Sequence, residues 1–349
     1  MDICVISFTR QGAELSRRVK TVWTQAELYT KWSGGSVEGM KYVKEPIGIW
    51  AGEQMKNRTA VLFIGACGIA VRAIAPYVAD KLLDSPILVM DEKGRHIIPI
   101  LSGHMGGANA LACSLADALG AEAVITTATD INERFAVDLF AKKNHLAIMN
   151  REGIAAVSSK LLDGKKVTLA VEPGHLCEGA PIPEGVKLVS YETSPSADIV
   201  ITTRRNVKAA CLLLRPQVYA LGMGCKKGKS LEEMQTFVDR VLKEQEISVK
   251  EVFALASIDR KAEESCFLEW SSKMRIPFLT FSAEELSAVT GNFHGSEFVR
   301  SQVGVENVCE RSARNVCGEA GQLVLSKQAE HGMTIAIAKR DWSVTFDEK

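Results

Sequence analysis

The sequence predicts an α/β protein of two α/β domains with mostly parallel sheets, joined by a less regular middle segment. Three observations predict it. At 349 residues the chain is longer than one ordinary hydrophobic core organises. Short apolar runs of strand length alternate with helix-length amphipathic segments, the pattern of an open parallel sheet. The alternation fades after about His145 and restarts at Val218, which places the domains at 1–145 and 217–349 with 146–216 between them.

Each element follows from local pattern. Asp2 to Phe8 reads as a strand and Gln11 to Lys20 as a helix. Val61-Leu62-Phe63-Ile64 is a continuous apolar run closed by Gly65-Ala66-Cys67-Gly68. A helix follows with Ile69, Val71, Ile74 and Ala75 as its apolar residues and Pro76 near its end. Strands at Ile87–Met90 and His96–Ile100 flank the turn Asp91-Glu92-Lys93-Gly94, a hairpin spacing. After the glycine-rich segment 101–109 come a helix from about Ala108 to Leu119 stopped by Gly120, a strand at Ala123–Thr127 and a helix at Ala136–Asn144. In the middle segment only Val167–Val171 and Ile199–Thr202 read as strands, and it is either separate or the tail of the first domain. No chemistry is assigned to it.

The last part opens with a strand at Val218–Leu221 leading into Gly222-Met223-Gly224. Ser230 and Glu233 have capping-box spacing, which starts a helix at Leu231 that runs to Leu242. Val252–Ser257 is the next strand, followed by a helix after Lys261 and a strand at Phe278–Phe281. Ser282 with Glu285 repeats the capping box. Short helices follow, then a hairpin of Gly321–Ser326 with Met333–Ala338.

Composition excludes several classes. A hydrophobic share of 46% with 24% charged residues is that of a globular protein. Lysine plus arginine balances aspartate plus glutamate at 42 each, so no net field draws the chain to nucleic acid. No apolar stretch reaches the roughly 20 residues of a membrane span, and the N-terminus carries no basic leader. Nine cysteines lack any CxxC pair, which argues against a zinc ribbon or disulfide framework and for reduced thiols in the cytoplasm. Cys309 and Cys317 are too widely spaced for a familiar metal pair. His145, His175, His294 and His331 have no recognisable partner. The expected ligand is a small molecule, with no bound metal, nucleic acid or membrane; the oligomeric state stays open, a homodimer included.

The segment Leu101-Ser102-Gly103-His104-Met105-Gly106-Gly107-Ala108-Asn109 is the most distinctive. Its glycines allow sharp turns, and the N–H groups and dipole of the following helix favour an anion. His104 is its one titratable side chain and suits proton transfer near neutrality. The competing reading is a tight strand-to-helix connection whose histidine caps a carbonyl. Near Gly65, Arg72 on the following helix can reach a carboxylate. Cys67 reads better as a small buried residue than as a nucleophile. Thr126-Thr127-Ala128-Thr129-Asp130 puts hydroxyls and a carboxylate at a strand's carboxyl end, where open sheets bind ligands; N-cap chemistry is the alternative.

Gly222-Met223-Gly224-Cys225-Lys226-Lys227-Gly228-Lys229-Ser230 ends like a Walker A motif but has the wrong glycine spacing, and a dinucleotide fingerprint would need glycine at Lys227. What survives is a glycine turn bearing Lys226, Lys227 and Lys229, either an anion contact or a solvated basic loop. Ser257, Asp259 and Lys261 should share its edge.

Several blocks together resemble the cobalt-precorrin-5A hydrolase (CbiG) family. They are Val61–Arg72, Leu101–Asn109, Val124–Asp130, Leu221–Lys226, Ala254–Lys261, Phe281–Leu286, Ser296-Glu297-Phe298-Val299 and Val305–Glu310, in family order. The resemblance implies hydrolysis of cobalt-precorrin-5A, with δ-lactone opening and loss of acetaldehyde to give cobalt-precorrin-5B. It implies no protein-bound cofactor, because the cobalt is carried by the substrate. The macrocycle's acetate and propionate arms would be held by charge-assisted bonds in a cleft between two domains. In the first domain the binding residues would be Gly65, Arg72, Gly103, Gly106, Gly107, Asn109, Thr126 and Thr127. In the last they would be Gly222, Gly224, Lys226, Lys227, Ser257, Asp259 and Lys261. His104 would act as base or acid, Ser102 and loop N–H groups would stabilise an oxyanion, and Asp130 or Asp259 would orient water or serve as the alternate base. A non-catalytic tetrapyrrole carrier is the competing function, and a nucleotide-dependent enzyme a weaker third.

Overall fold

The computed structural model describes residues 2–35, 37–80, 83–132, 134–177, 179–192, 197–207, 211–295 and 304–347. The chain divides into two compact units, Met1–Leu139 and Phe140–Lys349.

The first unit is built on one sheet. Its strands are β1 (Ile3–Ser7), β2 (Glu27–Thr30), β3 (Lys41–Tyr42), β4 (Ala60–Ile64), β5 (Ile87–Met90), β6 (His96–Leu101) and β7 (Glu122–Ala123), in the order β3-β2-β1-β4-β5-β6-β7. Every residue of β4 and β5 is buried, because helices cover both faces of a parallel sheet. The helices are α1 (Arg10–Val22), α2 (Ile47–Lys56), α3 (Cys67–Ile74) and α4 (Ala108–Leu119). Leu62, Ile64, Leu88 and Met90 pack with Leu15 and Val19 of α1 and Leu115 of α4. The alternate residues Val61, Phe63, Ile87 and Val89 pack with Trp50 of α2 and Ile74 of α3.

Two local expectations are corrected. The buried stripe of α3 is Ala70, Ala73 and Ile74, at helical spacing, whereas Val71 is half exposed and Ala75 lies beyond the helix. The strand expected at Ala123–Thr127 stops after Ala123, because β7 is an edge strand paired only with β6. The chain then turns into α5 (Ala128–Ile131), for which Thr127 is the N-cap residue.

Strand direction decides where the loops lie. Strands β1 to β5 are parallel, but β6 is antiparallel to β5, with Leu101 opposite Ile87, and β7 runs with β6. The carboxyl ends of β6 and β7 therefore share the edge where β4 and β5 begin. Gly65, which follows β4, is on the opposite edge.

The helix α6 (Val137–Lys143) spans the boundary between units. The second unit holds two sheets. The weakly patterned middle segment forms β8 (Leu146–Ile148), α7 (Glu152–Leu162), β9 (Val167–Val171), β10 (Val186–Leu188), β11 (Ile199–Ile201) and β12 (Leu212–Pro216). The order is β10-β9-β11-β12-β8, parallel except for β8. It falls within the second compact unit. Strands of three residues are too short to show a periodicity in sequence.

The other sheet contains β13 (Tyr219–Cys225), β14 (Val252–Ile258), β15 (Phe278–Phe281), β16 (Gln322–Glu330) and β17 (Met333–Lys339), in the order β15-β14-β13-β17-β16. Its helices are α8 (Leu231–Glu244), α9 (Ser265–Met274), α10 (Ala283–Ala288) and α11 (Cys309–Val316). Both expected capping boxes are present, at Ser230/Glu233 and Ser282/Glu285. The block Ser296–Val299 lies outside the described residues. Among the described residues no helix is long and apolar enough to cross a membrane.

Gly222 and Gly224 do not form a turn. Strand β13 runs through both, and the chain turns at Lys227-Gly228 instead. Gly222 is required for packing: a Cβ there would stand 1.8 Å from the Cys309 carbonyl oxygen and 2.7 Å from the Ala313 nitrogen of α11. Gly222→Ala should push α11 off the sheet and cost about 1–3 kcal/mol or more, as overpacked cores do. A urea midpoint equal to that of the wild type would refute this packing role.

Candidate active site

The loop between β6 and α4 is shaped by its own close contacts. Ser102 adopts a left-handed conformation (φ 57°), and Gly107 does the same (φ 92°) as the N-cap residue of α4. A Cβ on Gly103 would meet Asn109 Oδ1 at 2.6 Å, and one on Gly106 would meet Ser102 Cβ at 2.4 Å. These two glycines let the loop fold on itself.

Three N–H groups expected to hold an anion are used inside the loop. Gly107 N donates to His104 O at 3.0 Å, Ala108 N to Ser102 O at 3.1 Å and Asn109 N to Gly103 O at 3.1 Å. The Ser102 hydroxyl donates to the Asp84 carbonyl at 2.8 Å, so it pins the loop and does not face an oxyanion. The expected oxyanion role of Ser102 and these amides is corrected accordingly.

The folded loop presents His104 to the segment after β7. Nε2 of His104 lies 2.9 Å from Asp130 Oδ2 and 3.3 Å from Thr129 Oγ1. Nδ1 lies 3.5 Å from Asp138 Oδ2, contributed by α6. Asn109 Nδ2 donates to both Thr127 Oγ1 and Asp130 Oδ2. The imidazole therefore bridges two carboxylates, and the capping readings of His104 and Asp130 do not hold.

The hydrogen bond and charge of Asp138 raise the His104 pKa above its ordinary value, against the opposing effect of burial. Asp138 acts more strongly from its longer distance because its side chain is 14% exposed against 29% for Asp130, so water screens it less. Burial works to raise the Asp138 pKa, but the His104 hydrogen bond and charge outweigh it and hold it below the usual range. The neighbouring acids favour the protonated, imidazolium form of His104. It can release a proton to a leaving oxygen from the more exposed, Asp130 side.

The remaining predicted residues are placed as follows. Thr127 joins the site through Asn109, while Thr126 is exposed. Gly65 is on the far edge of the sheet, where a Cβ would touch Phe8. Arg72 is in the last turn of α3, and its guanidinium folds back onto the Gly68 carbonyl at 3.0 Å. In the second unit Lys226, Lys227, Asp259 and Lys261 lie at the carboxyl edge of the parallel strands β13 and β14. Ser257 does not: it is fully buried and donates to the Met223 carbonyl at 2.7 Å. Gly222 is buried under α11 and Gly224 faces Thr334.

Asp138 is the residue that sequence reasoning misses. An acidic residue in a helix's first turn is an ordinary complement to the helix dipole and carries no distinguishing signal. The sequence reading also misses a grouping of Cys225, Glu264 and Cys266, whose donor atoms lie within 4.8 Å of one another.

Three family models match the chain in order: Cobalamin synthesis G N-terminal over residues 50–130, Cobalamin biosynthesis central region over 135–216, and Cobalamin synthesis G C-terminus over 219–338. The chain is 32% identical over 355 residues to the cobalt-precorrin-5A hydrolase of Priestia megaterium, covering 97% of this chain and 94% of that one. It is 36% identical over 290 residues to the cobalt-precorrin-5A hydrolase of Salmonella typhimurium, covering 80% and 81%. A solved structure from Sulfolobus solfataricus, described as a cobalamin biosynthesis protein G homologue, is 21% identical and covers 97% of both chains, with a TM-score of 0.41.

Proposed function

This chain belongs to the cobalt-precorrin-5A hydrolase (CbiG) family of cobalamin biosynthesis, and on that premise we propose that it hydrolyses cobalt-precorrin-5A at the His104 site. The observation that carries the site assignment is the bridging of His104 between Asp130 and Asp138. Water opens the δ-lactone to an acid and an alcohol; the alcohol then loses its O–H proton, its C–C bond to the macrocycle breaks as the acetaldehyde C=O forms, and the ring carbon keeps the electron pair and takes up a proton. Asp130 takes a proton from the attacking water, and the His104 imidazolium protonates the departing ring oxygen through Nε2. The Asp130–His104 contact then returns the proton to the imidazole. Asp138 keeps the ring oriented through Nδ1, as the buried acid of a catalytic triad does. Hydrolysis of this kind calls for no cofactor, and the cobalt enters as part of the substrate. Taken by itself, the second unit offers exposed Lys226 and Lys227 as contacts for an anionic ligand. We place the enzyme in the cytoplasm, in keeping with nine free thiols.

The test is anoxic incubation with cobalt-precorrin-5A while acetaldehyde is followed. Formation in proportion to enzyme, abolished in Asp130→Asn, supports the reading; binding of the macrocycle without acetaldehyde would revive the carrier function. The pH dependence gives a second check. An acid catalyst is active while protonated, so kcat/KM should fall as pH rises through the elevated His104 pKa. Asp138→Asn removes the main cause of that elevation, and the alkaline limb should move to lower pH, toward about 6.5. A limb that does not move would assign it to another group.

A further inference from the structure

The carboxyl edge of β13 brings together three donors from distant parts of the chain. Cys225 ends β13, Glu264 is the N-cap residue of α9 and Cys266 lies in its first turn. Cys266 is completely buried in the core of this domain, and Cys225 packs against that core while keeping partial exposure. The two sulfurs and a Glu264 carboxylate oxygen lie within 4.8 Å of one another. Zinc–sulfur bonds of about 2.3 Å and zinc–oxygen bonds of about 2.0–2.2 Å place tetrahedral donors roughly 3.5 Å apart. Small side-chain movements would therefore close the set on one ion.

The surroundings favour such an ion. Two thiolates and a carboxylate carry three negative charges. A divalent cation and the Lys261 ammonium, 2.6 Å from Glu264 Oε2, would neutralise them. Gly228 N donates to Glu264 Oε1 at 3.0 Å, so the carboxylate is already oriented by neighbours of the kind that tune metal ligands. Two sulfurs with one oxygen suit a thiophilic, borderline-soft metal rather than magnesium or calcium.

We propose that Cys225, Cys266 and Glu264 form a three-ligand site for a divalent cation of the zinc class. The fourth position stays open to an exchangeable ligand, reached past the partly exposed Cys225 and Glu264. The site is separate from the cobalt of the substrate and does not depend on the role given to His104.

Reduced, metal-free, full-length protein titrated anaerobically with Co²⁺ should bind one ion and develop thiolate-to-cobalt charge-transfer absorption, which Zn²⁺ displaces. Cys225→Ser should abolish that absorption. Glu264→Gln should weaken binding by at least about tenfold, the lower end of what lost outer-shell partners cost. Cys113→Ser, which alters an exposed thiol elsewhere, should leave both unchanged. Cys266→Ser risks the core, so the partly exposed Cys225 and Glu264 carry the test. Equal Co²⁺ binding by wild type and Cys225→Ser would overturn the proposal. So would absorption without thiolate character, or formation of a Cys225–Cys266 disulfide in protein that takes up no metal.

Discussion

His104→Ala should lower kcat/KM for cobalt-precorrin-5A by about 10²–10⁴-fold, the usual contribution of a positioned acid or base. The imidazole supplies the proton for the leaving oxygen and contacts both the Asp130 and the Asp138 carboxyl groups. Its removal takes away the hydrogen bond and charge that hold the Asp138 pKa down, so that pKa should rise toward the ordinary carboxylate range. Loop architecture should survive, because the Ser102, Gly103 and His104 carbonyls take their hydrogen bonds from backbone N–H groups. Normal unfolding with lost acetaldehyde release would assign the loss to chemistry. A His104→Ala enzyme turning over at the wild-type rate would remove the residue from the mechanism.

Glu251→Ala should be the most destabilising single change in the second unit, at about 3–5 kcal/mol. Glu251 has no exposed surface and sits in the short turn before β14. Arg205 Nη1 reaches its two oxygens at 2.9 and 2.7 Å, and Arg215 lies 3.9 Å away. Arg205 Nη2 also donates to the Tyr219 hydroxyl at 3.2 Å. Arg205 comes from the loop after β11, Arg215 from β12 and Tyr219 from β13, so one buried acid ties the middle sheet to the C-terminal one. Removing it takes the counter-charge from Arg215, whose side chain is nearly buried, and from Arg205, which keeps partial access to water. Urea unfolding measures the loss, and a change below about 1 kcal/mol would mean that the arginines find solvent instead. Replacing Glu251 and Arg205 together by methionine should recover part of the stability, since an apolar pair leaves only Arg215 uncompensated.

The site was partly legible. His104, Asn109 and Asp130 stand in segments of unusual composition, and the structure joins them by direct contacts. Asp138 was not legible, because its carboxylate matters through a contact with His104 that no local pattern encodes. Gly65 and Arg72 were misplaced for a topological reason. The hairpin β5–β6 reverses the chain and β7 follows β6, so the loops after β4 and β6 leave opposite edges. Gly222 and Ser257 were misread because a glycine beside a strand resembles a turn, and a serine near a strand end resembles a surface group. Whether a helix lies over the one or a carbonyl faces the other is settled only by packing.

The sequence by itself determined the elements whose signals are local: apolar strand runs, capping boxes, the glycine that ends α4, and the ordered blocks that mark the family. Capping and periodicity act over a few residues, so they can be read along the chain. Only the tertiary structure decided which loops meet, which glycines serve packing, and that His104 lies between two acids that favour its protonated form. Those depend on strand direction, burial and the screening that burial removes, and each is a property of residues brought together from distant parts of the chain.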